Sequence, residues 1–129
     1  VGSCVFAFVL MTTVWVHRPR LVWTHGLREH VDYIAVGVWI AYNTCLFSQT
    51  MADVIWWGAS AQTTSFLSAS AGGAVLTVVV NRWRNQYAYR SVVRDTLHVI
   101  MHVVGAAGTV CLLLASELMQ LHKNAIISR

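Results

Sequence analysis

Charged residues are scarce in this chain, and apolar residues are abundant. Asp, Glu, Lys and Arg make up 11% of the 129 residues, whereas 57% are hydrophobic and stand in long blocks. The only proline, Pro19, lies between two of these blocks, where its missing N–H costs no helical hydrogen bond. Cysteines are few, lie within apolar blocks and lack a CxxC spacing, which argues against a disulfide or thiolate–metal framework. The composition therefore predicts a multi-spanning membrane protein. The cysteines are Cys4, Cys45 and Cys111.

Four apolar blocks predict four transmembrane helices, at approximately residues 2–17, 31–48, 51–81 and 93–121. Their connections are a basic loop, a short turn at residues 48–50 and a second basic loop. No internal repeat, low-complexity segment or linker divides the sequence. We therefore predict one transmembrane domain over residues 1–129, with an all-α fold that forms an integral membrane four-helix bundle.

The third apolar block is rich in small and hydroxyl side chains. At ~1.5 Å per residue its length exceeds the ~30 Å hydrocarbon thickness, so the block must tilt, protrude or break. Within it Ala61, Ser65, Ala69 and Gly73 recur every four residues on one helical face. Such faces let helix backbones approach closely in a membrane. We expect this stripe to contact another helix, either within the bundle or in a partner subunit.

The arginines are divided unequally between the two ends of the predicted bundle. One side carries seven of them, and the other carries only Lys123 and Arg129. The positive-inside rule places the arginine-rich side in the cytoplasm, or in the matrix if the membrane is the mitochondrial inner membrane. Anionic lipid headgroups are then the expected counter-ions of the +4 formal charge, and no nucleic acid partner is required. The seven are Arg18, Arg20, Arg28, Arg82, Arg84, Arg90 and Arg94.

Polar side chains from three predicted helices converge on the basic side. His17 ends the first helix, Asp32 opens the second, and His98 and His102 stand four residues apart near the start of the last. Thr13 shares a helical face with His17. Histidine is rare in hydrocarbon unless it faces a partner, a cavity or a bound group. Three imidazoles with a water and a nearby carboxylate form a catalytic zinc arrangement, so one hypothesis makes the three histidines metal ligands.

The spacing of these residues resembles the signature of the CREST superfamily of membrane proteins. The matching elements are Thr13-x3-His17, Asp32-Tyr33 and His98-x3-His102. The superfamily includes adiponectin and progestin receptors, hemolysin III-like proteins and alkaline ceramidases. The resemblance implies a zinc ion held by His17, His98 and His102, with Asp32 and Thr13 placed around the zinc-bound water, and hydrolysis of lipid amides. It also implies seven helices, where this chain has four apolar blocks.

A redox cofactor is an alternative use of the same residues. His17 and either His98 or His102, on different helices at similar depth, are suited to be the two axial ligands of a b-type haem in a four-helix bundle. Arginines on that side would then meet the haem propionates. The pocket could instead hydrogen-bond a quinone headgroup through Asp32 and Tyr33.

A third interpretation, which we favour, assigns the chain no chemistry of its own. Small-residue faces, tryptophan-rich rims and short loops suit burial among other membrane subunits. This interpretation predicts an accessory subunit of a larger membrane complex, with no cofactor and no catalytic activity. An energy-transducing, respiratory-type assembly of the mitochondrial inner membrane is the favoured class, by analogy at the level of fold.

Overall fold

The structure, a computed structural model, describes residues 25–88 and 91–128, and side chains from residue 33 onward within these ranges. Within them the chain forms three α-helices and no strand: α1 is His25–Trp57, α2 is Ala61–Arg84 and α3 is Val92–Ile127. The predicted all-α class is confirmed for these residues. The predicted first helix at 2–17 lies outside them, so a bundle of four helices stays a prediction.

The junction between the predicted second and third helices, which correspond to α1 and α2, lies at a different place from the one predicted. The expected turn at residues 48–50 lies inside α1, where Thr50 is buried and its hydroxyl donates to the Leu46 carbonyl at 2.8 Å. A hydroxyl bonded in this way fits within a helix, so hydroxyl-rich sequence alone does not end one. The prediction of helices at 31–48 and 51–81 was therefore wrong at their junction. The long third block does break, but near its beginning.

Gly58 and Ser60 make that break. The Gly58 N–H bonds to the Val54 carbonyl at 3.0 Å, and the φ of Gly58 is +75°, a conformation that a residue without Cβ adopts readily. Ser60 then caps α2, since its hydroxyl accepts a hydrogen bond from the Thr63 N–H at 3.1 Å. Two local signals thus end α1 and begin α2 within three residues.

The helices α2 and α3 form an antiparallel hairpin. Near its middle Gly73 packs against Gly108: a Cβ built at Gly73 would lie 3.2 Å from the Gly108 Cα. The turn ends where Ser91 caps α3 by accepting from the Arg94 N–H at 3.2 Å. The predicted helix at 93–121 lies within α3. Along the seam the buried residues of α2 are Thr63, Leu67, Ser70 and Val80, and those of α3 are Gly105, Gly108, Thr109, Leu112, Ala115 and Met119.

The predicted small-residue stripe of α2 is mostly turned away from this seam. Gly73 contacts α3, whereas Ala61, Ser65 and Ala69 are exposed within the chain. Small residues occur on both faces of α2, and the face that carries Thr63 and Leu67 is the one that packs. Among the described helices only Gly73 of the stripe therefore contacts a neighbouring helix, and contact of the other three residues with a partner subunit stays a prediction.

Two compact units divide the chain, Val1–Cys45 and Leu46–Arg129, with the boundary inside α1. In the second unit the core is formed by Leu67 of α2 with Leu112 and Ala115 of α3. The last three turns of α1 pack against this core through partly buried apolar side chains. These are Leu46, Phe47, Met51 and Val54, joined by Phe66 of α2.

Among the described helices, α2 and α3 are long and apolar enough to cross a membrane. At 1.5 Å per residue α2 is about 36 Å long, compared with ~30 Å of hydrocarbon. A core helix of a water-soluble protein has similar length and composition but is mostly buried. Here 22% of the most apolar stretch of α2 and 33% of that of α3 are buried. Both helices therefore present most of their apolar surface outward.

Candidate functional site

The structure describes only part of the predicted polar cluster. Thr13 and His17 lie outside the described residues, and Asp32 lies in α1 where the backbone alone is described. His98 and His102 lie on α3 in the second compact unit, and both are half-buried. The described part of the cluster is therefore this histidine pair.

The two histidines contact each other directly. Their ring centroids are 4.6 Å apart and the ring planes meet at 75°, an edge-to-face arrangement. The Nε2 atoms are 3.0 Å apart, within hydrogen-bond distance. The i, i+4 spacing places both rings on one face of α3, one turn apart, and this brings them into contact.

Arg84 is the residue that sequence reasoning did not assign to this site. It lies in the last turn of α2, and its Nη1 donates to Nδ1 of His98 across the helix seam. A second guanidinium nitrogen, Nη2, reaches the Asn85 side-chain oxygen at 3.4 Å. Its Nε is buried and has no hydrogen-bond partner among the described residues. The sequence did contain an indication of this contact. The loop after Arg84 is short, so the end of α2 must lie beside the start of α3.

The donor and acceptor properties of Arg84, His98 and His102 determine which ring nitrogens carry protons. A guanidinium only donates, so Nδ1 of His98 is the acceptor and carries no proton. In a neutral imidazole the proton then lies on Nε2, which donates to Nε2 of His102. His102 accordingly carries its proton on Nδ1. In this geometry Arg84 donates to His98, and His98 in turn donates to His102.

This arrangement bears on the zinc and haem hypotheses. Two nitrogens 3.0 Å apart could occupy neighbouring positions on a metal with bonds of ~2.0–2.1 Å. However, a ligand nitrogen must offer a lone pair, and a neutral His98 that accepts from Arg84 at Nδ1 has its proton on Nε2. The pair with Arg84 in place does not fit a metal or a haem iron at that atom. Among the described residues no three His, Cys, Asp or Glu side chains are grouped as a metal site would require. The site that includes His17 stays a prediction.

The quinone alternative depended on Tyr33, together with Asp32. The Tyr33 side chain is 66% exposed on α1. It lies in the first compact unit and the histidine pair in the second, so each is described by itself. A quinone pocket stays a prediction.

A second polar cluster lies at the opposite end of the hairpin. Lys123 Nζ is 2.9 Å from Asp53 Oδ1, and the two side chains are 22% and 25% exposed. The same ammonium group lies 6.0 Å from the Trp57 ring centroid, within range of a cation–π attraction. His122 Nε2 lies 3.3 Å from the Trp57 carbonyl oxygen. Together these contacts attach the end of α1 to the last turns of α3. Sequence reasoning gave none of these four residues a role in a site, because the pairing joins residues about 70 positions apart.

A comparison with protein-family models, with curated proteins and with solved structures finds no match to this chain.

Proposed function

We propose that this protein is embedded in a membrane through α2 and α3 and acts there as an accessory subunit of a larger membrane complex. The observation that carries the proposal is the outward display of large apolar side chains along both helices. On α2 they include Val75, 65% exposed, and Val78, 67% exposed, and on α3 Val103, 63% exposed. In water such a surface would associate or aggregate, whereas in lipid it needs no protein partner.

The positions of exposed aromatic residues support a membrane-spanning hairpin. Trp56 and Trp57 precede α2 and are 83% and 39% exposed, whereas Trp83 and Tyr87 at its other end are 58% and 45% exposed. Between these two groups the described part of α2 has one aromatic residue, the half-buried Phe66, and α3 has no Phe, Trp or Tyr. Trp and Tyr concentrate at the two membrane–water interfaces. The separation of the two groups along α2 matches the thickness of a bilayer.

A face of α2 that is exposed in the chain supports the subunit role. Ala61, Ser65 and Ala69 leave a shallow surface on one side of the helix, and at Gly72 a built Cβ would meet no atom within 4 Å. Lipid tails form few favourable contacts with such a surface, whereas another helix can approach it closely. The Ser65 hydroxyl on this surface already donates within α2, to the Ala61 carbonyl at 2.9 Å. Contact with a partner would therefore rest mainly on close packing.

Membrane embedding is tested by extraction. The full chain, expressed in its native cells, should stay with membranes through alkaline carbonate washing and be released by detergent. Release by carbonate alone would refute the embedded state. Membership of a respiratory-type complex is tested separately by localising the chain and resolving detergent-solubilised membranes by size.

The subunit role is tested by comparing two leucine substitutions on the exposed surface of α2. In mild detergent the wild-type chain should migrate within a particle larger than its own micelle. Ser65→Leu should reduce that association because a branched side chain excludes a close helix. The control is Val79→Leu, which leaves an exposed apolar position apolar. Migration of the wild-type chain as a monomer, or equal effects of both variants, would contradict the subunit role.

A further inference from the structure

The basic end of the hairpin holds two arginines with different environments. Arg82 and Arg84 both lie in the last turn of α2. Since successive residues of a helix are rotated by about 100°, these two side chains leave the helix about 200° apart. Arg84 turns into the seam and donates to His98, whereas Arg82 is exposed. The basic last turn of α2 thus contains one arginine that contacts α3, Arg84, and one whose side chain is exposed, Arg82.

Arg82 lies beside exposed aromatic side chains at the end of α2. Trp83 follows it and is 58% exposed, and Tyr87 is 45% exposed in the same turn region. Within the described ranges Arg82 forms no ion pair, and Asp95, an acidic residue in the first turn of α3, is also exposed. Arg94 is held differently, because its Nη1 reaches the Tyr87 carbonyl at 3.5 Å. Among the described residues no acidic side chain neutralises Arg82, so its exposed charge is placed to meet a partner outside the chain.

We propose that Arg82, with Trp83 and Tyr87, forms a binding surface for the phosphate of an anionic glycerophospholipid. A guanidinium matches phosphate oxygens with two parallel donors, and the aromatic side chains hold the helix end at headgroup depth. The inference rests on the proposed membrane embedding. It goes further by assigning headgroup binding to Arg82 and a structural role to Arg84. The distribution of charges along the sequence does not distinguish these two arginines.

The test compares the same substitution at the two arginines. The full chain is reconstituted in nanodiscs of phosphatidylcholine with spin-labelled phosphatidylglycerol or spin-labelled phosphatidylcholine. Electron paramagnetic resonance then gives the preference of the protein surface for the anionic lipid. Arg82→Gln should lower this preference by up to about fivefold, the effect of one cation near a membrane surface. Arg82→Lys should retain part of it, because the ammonium keeps the charge but lacks the two parallel donors, and thermal unfolding of both variants should match that of the wild type.

Arg84→Gln is the matched control, since it removes the same charge at the same end. It should keep the lipid preference and lower the unfolding temperature. Equal loss of preference in both glutamine variants would overturn the assignment, as would an unchanged preference in Arg82→Gln. If Arg84→Gln fails to fold, the comparison of Arg82→Gln with Arg82→Lys decides alone, because equal preferences in these two would overturn the proposal.

Two further arms identify the source of the phosphate and separate the two proposals. Inorganic phosphate and chloride, at matched ionic strength, should reduce the preference equally by screening. Selective displacement by phosphate would show a free-anion site and overturn the lipid assignment. Incorporation of the wild-type chain into nanodiscs without anionic lipid is measured first. Failure to incorporate refutes membrane embedding and the lipid site together, whereas incorporation without lipid preference refutes the lipid site alone.

Discussion

Gly73 of α2 and Gly108 of α3 bring the two helix backbones into direct contact. A Cβ at Gly73 would lie 3.2 Å from the Gly108 Cα and 3.6 Å from the Val104 carbonyl oxygen. These neighbours are backbone atoms, which cannot move aside as the end of a flexible side chain can. The contact therefore sets how closely the hairpin packs at its middle.

Substitution of Gly73 should weaken the hairpin. We expect Gly73→Ala to lower the free energy of unfolding in micelles by about 1–3 kcal/mol, because the added methyl group forces the helices apart. The control is Gly72→Ala, where a Cβ meets nothing within 4 Å and alanine is the better helix former. Thermal or denaturant unfolding, followed by circular dichroism, measures both. Equal effects of the two variants would contradict the close contact.

Leu112 should contribute far more to stability than Leu114 on the same helix. Leu112 is 1% exposed in the core, whereas Leu114 is 40% exposed. In lipid the transfer of a leucine to the core gains little, so the loss on Leu112→Ala comes mainly from lost packing. We expect about 1–3 kcal/mol, toward the low end of measured core truncations. Leu114→Ala should change the unfolding free energy by less than about 0.5 kcal/mol. If Leu114→Ala had the larger effect in the same unfolding assay, the face of α3 that carries Leu114, and not the face that carries Leu112, would lie in the core.

The proton positions on the histidine pair are a direct prediction of the Arg84 contact. Solid-state NMR of the chain labelled with ¹⁵N-histidine should show His98 protonated on Nε2 and His102 on Nδ1. Arg84→Gln should alter the His98 signals most, since glutamine does not place a guanidinium at Nδ1. The signals of His122, which belongs to the other end of the hairpin, serve as the control. A proton on Nδ1 of His98 would show that Arg84 does not donate there and would reopen metal ligation at Nε2.

The ion pair between Asp53 and Lys123 should contribute a modest coupling energy. Both side chains are partly exposed, and pairs of this kind contribute up to about 1 kcal/mol. A double-mutant cycle of Asp53→Ala and Lys123→Ala, followed by unfolding, should give a coupling of about 0.5–1 kcal/mol that falls with added salt. Glu117→Ala is the control, because Glu117 is exposed and forms no ion pair among the described residues. Additive effects at positions 53 and 123 would show that the two charges do not interact.

Helix formation and its local boundaries could be read from neighbouring residues. The predicted helix at 93–121 lies within α3, and the i, i+4 spacing of His98 and His102 places their rings on one helical face. The Ser91 cap of α3 is a local feature as well, since its hydroxyl accepts from the Arg94 N–H. The break between α1 and α2 was also local, since Gly58 and Ser60 carry it. The turn predicted at residues 48–50 was wrong because this Ser-Gln-Thr stretch continues α1 as a helix.

The apolar blocks and the basic character of the α2–α3 turn follow from the sequence by itself, because composition and short-range spacing determine them. Tertiary structure alone decided which face of α2 packs, since Ala61, Ser65 and Ala69 offer a small-residue surface as suitable as the buried one around Gly73. It also decided that Arg84 turns inward to His98 while Arg82 stays outward. These outcomes depend on the rotation of one helix against another. Packing in the seam sets that rotation, and no local pattern in either helix encodes it.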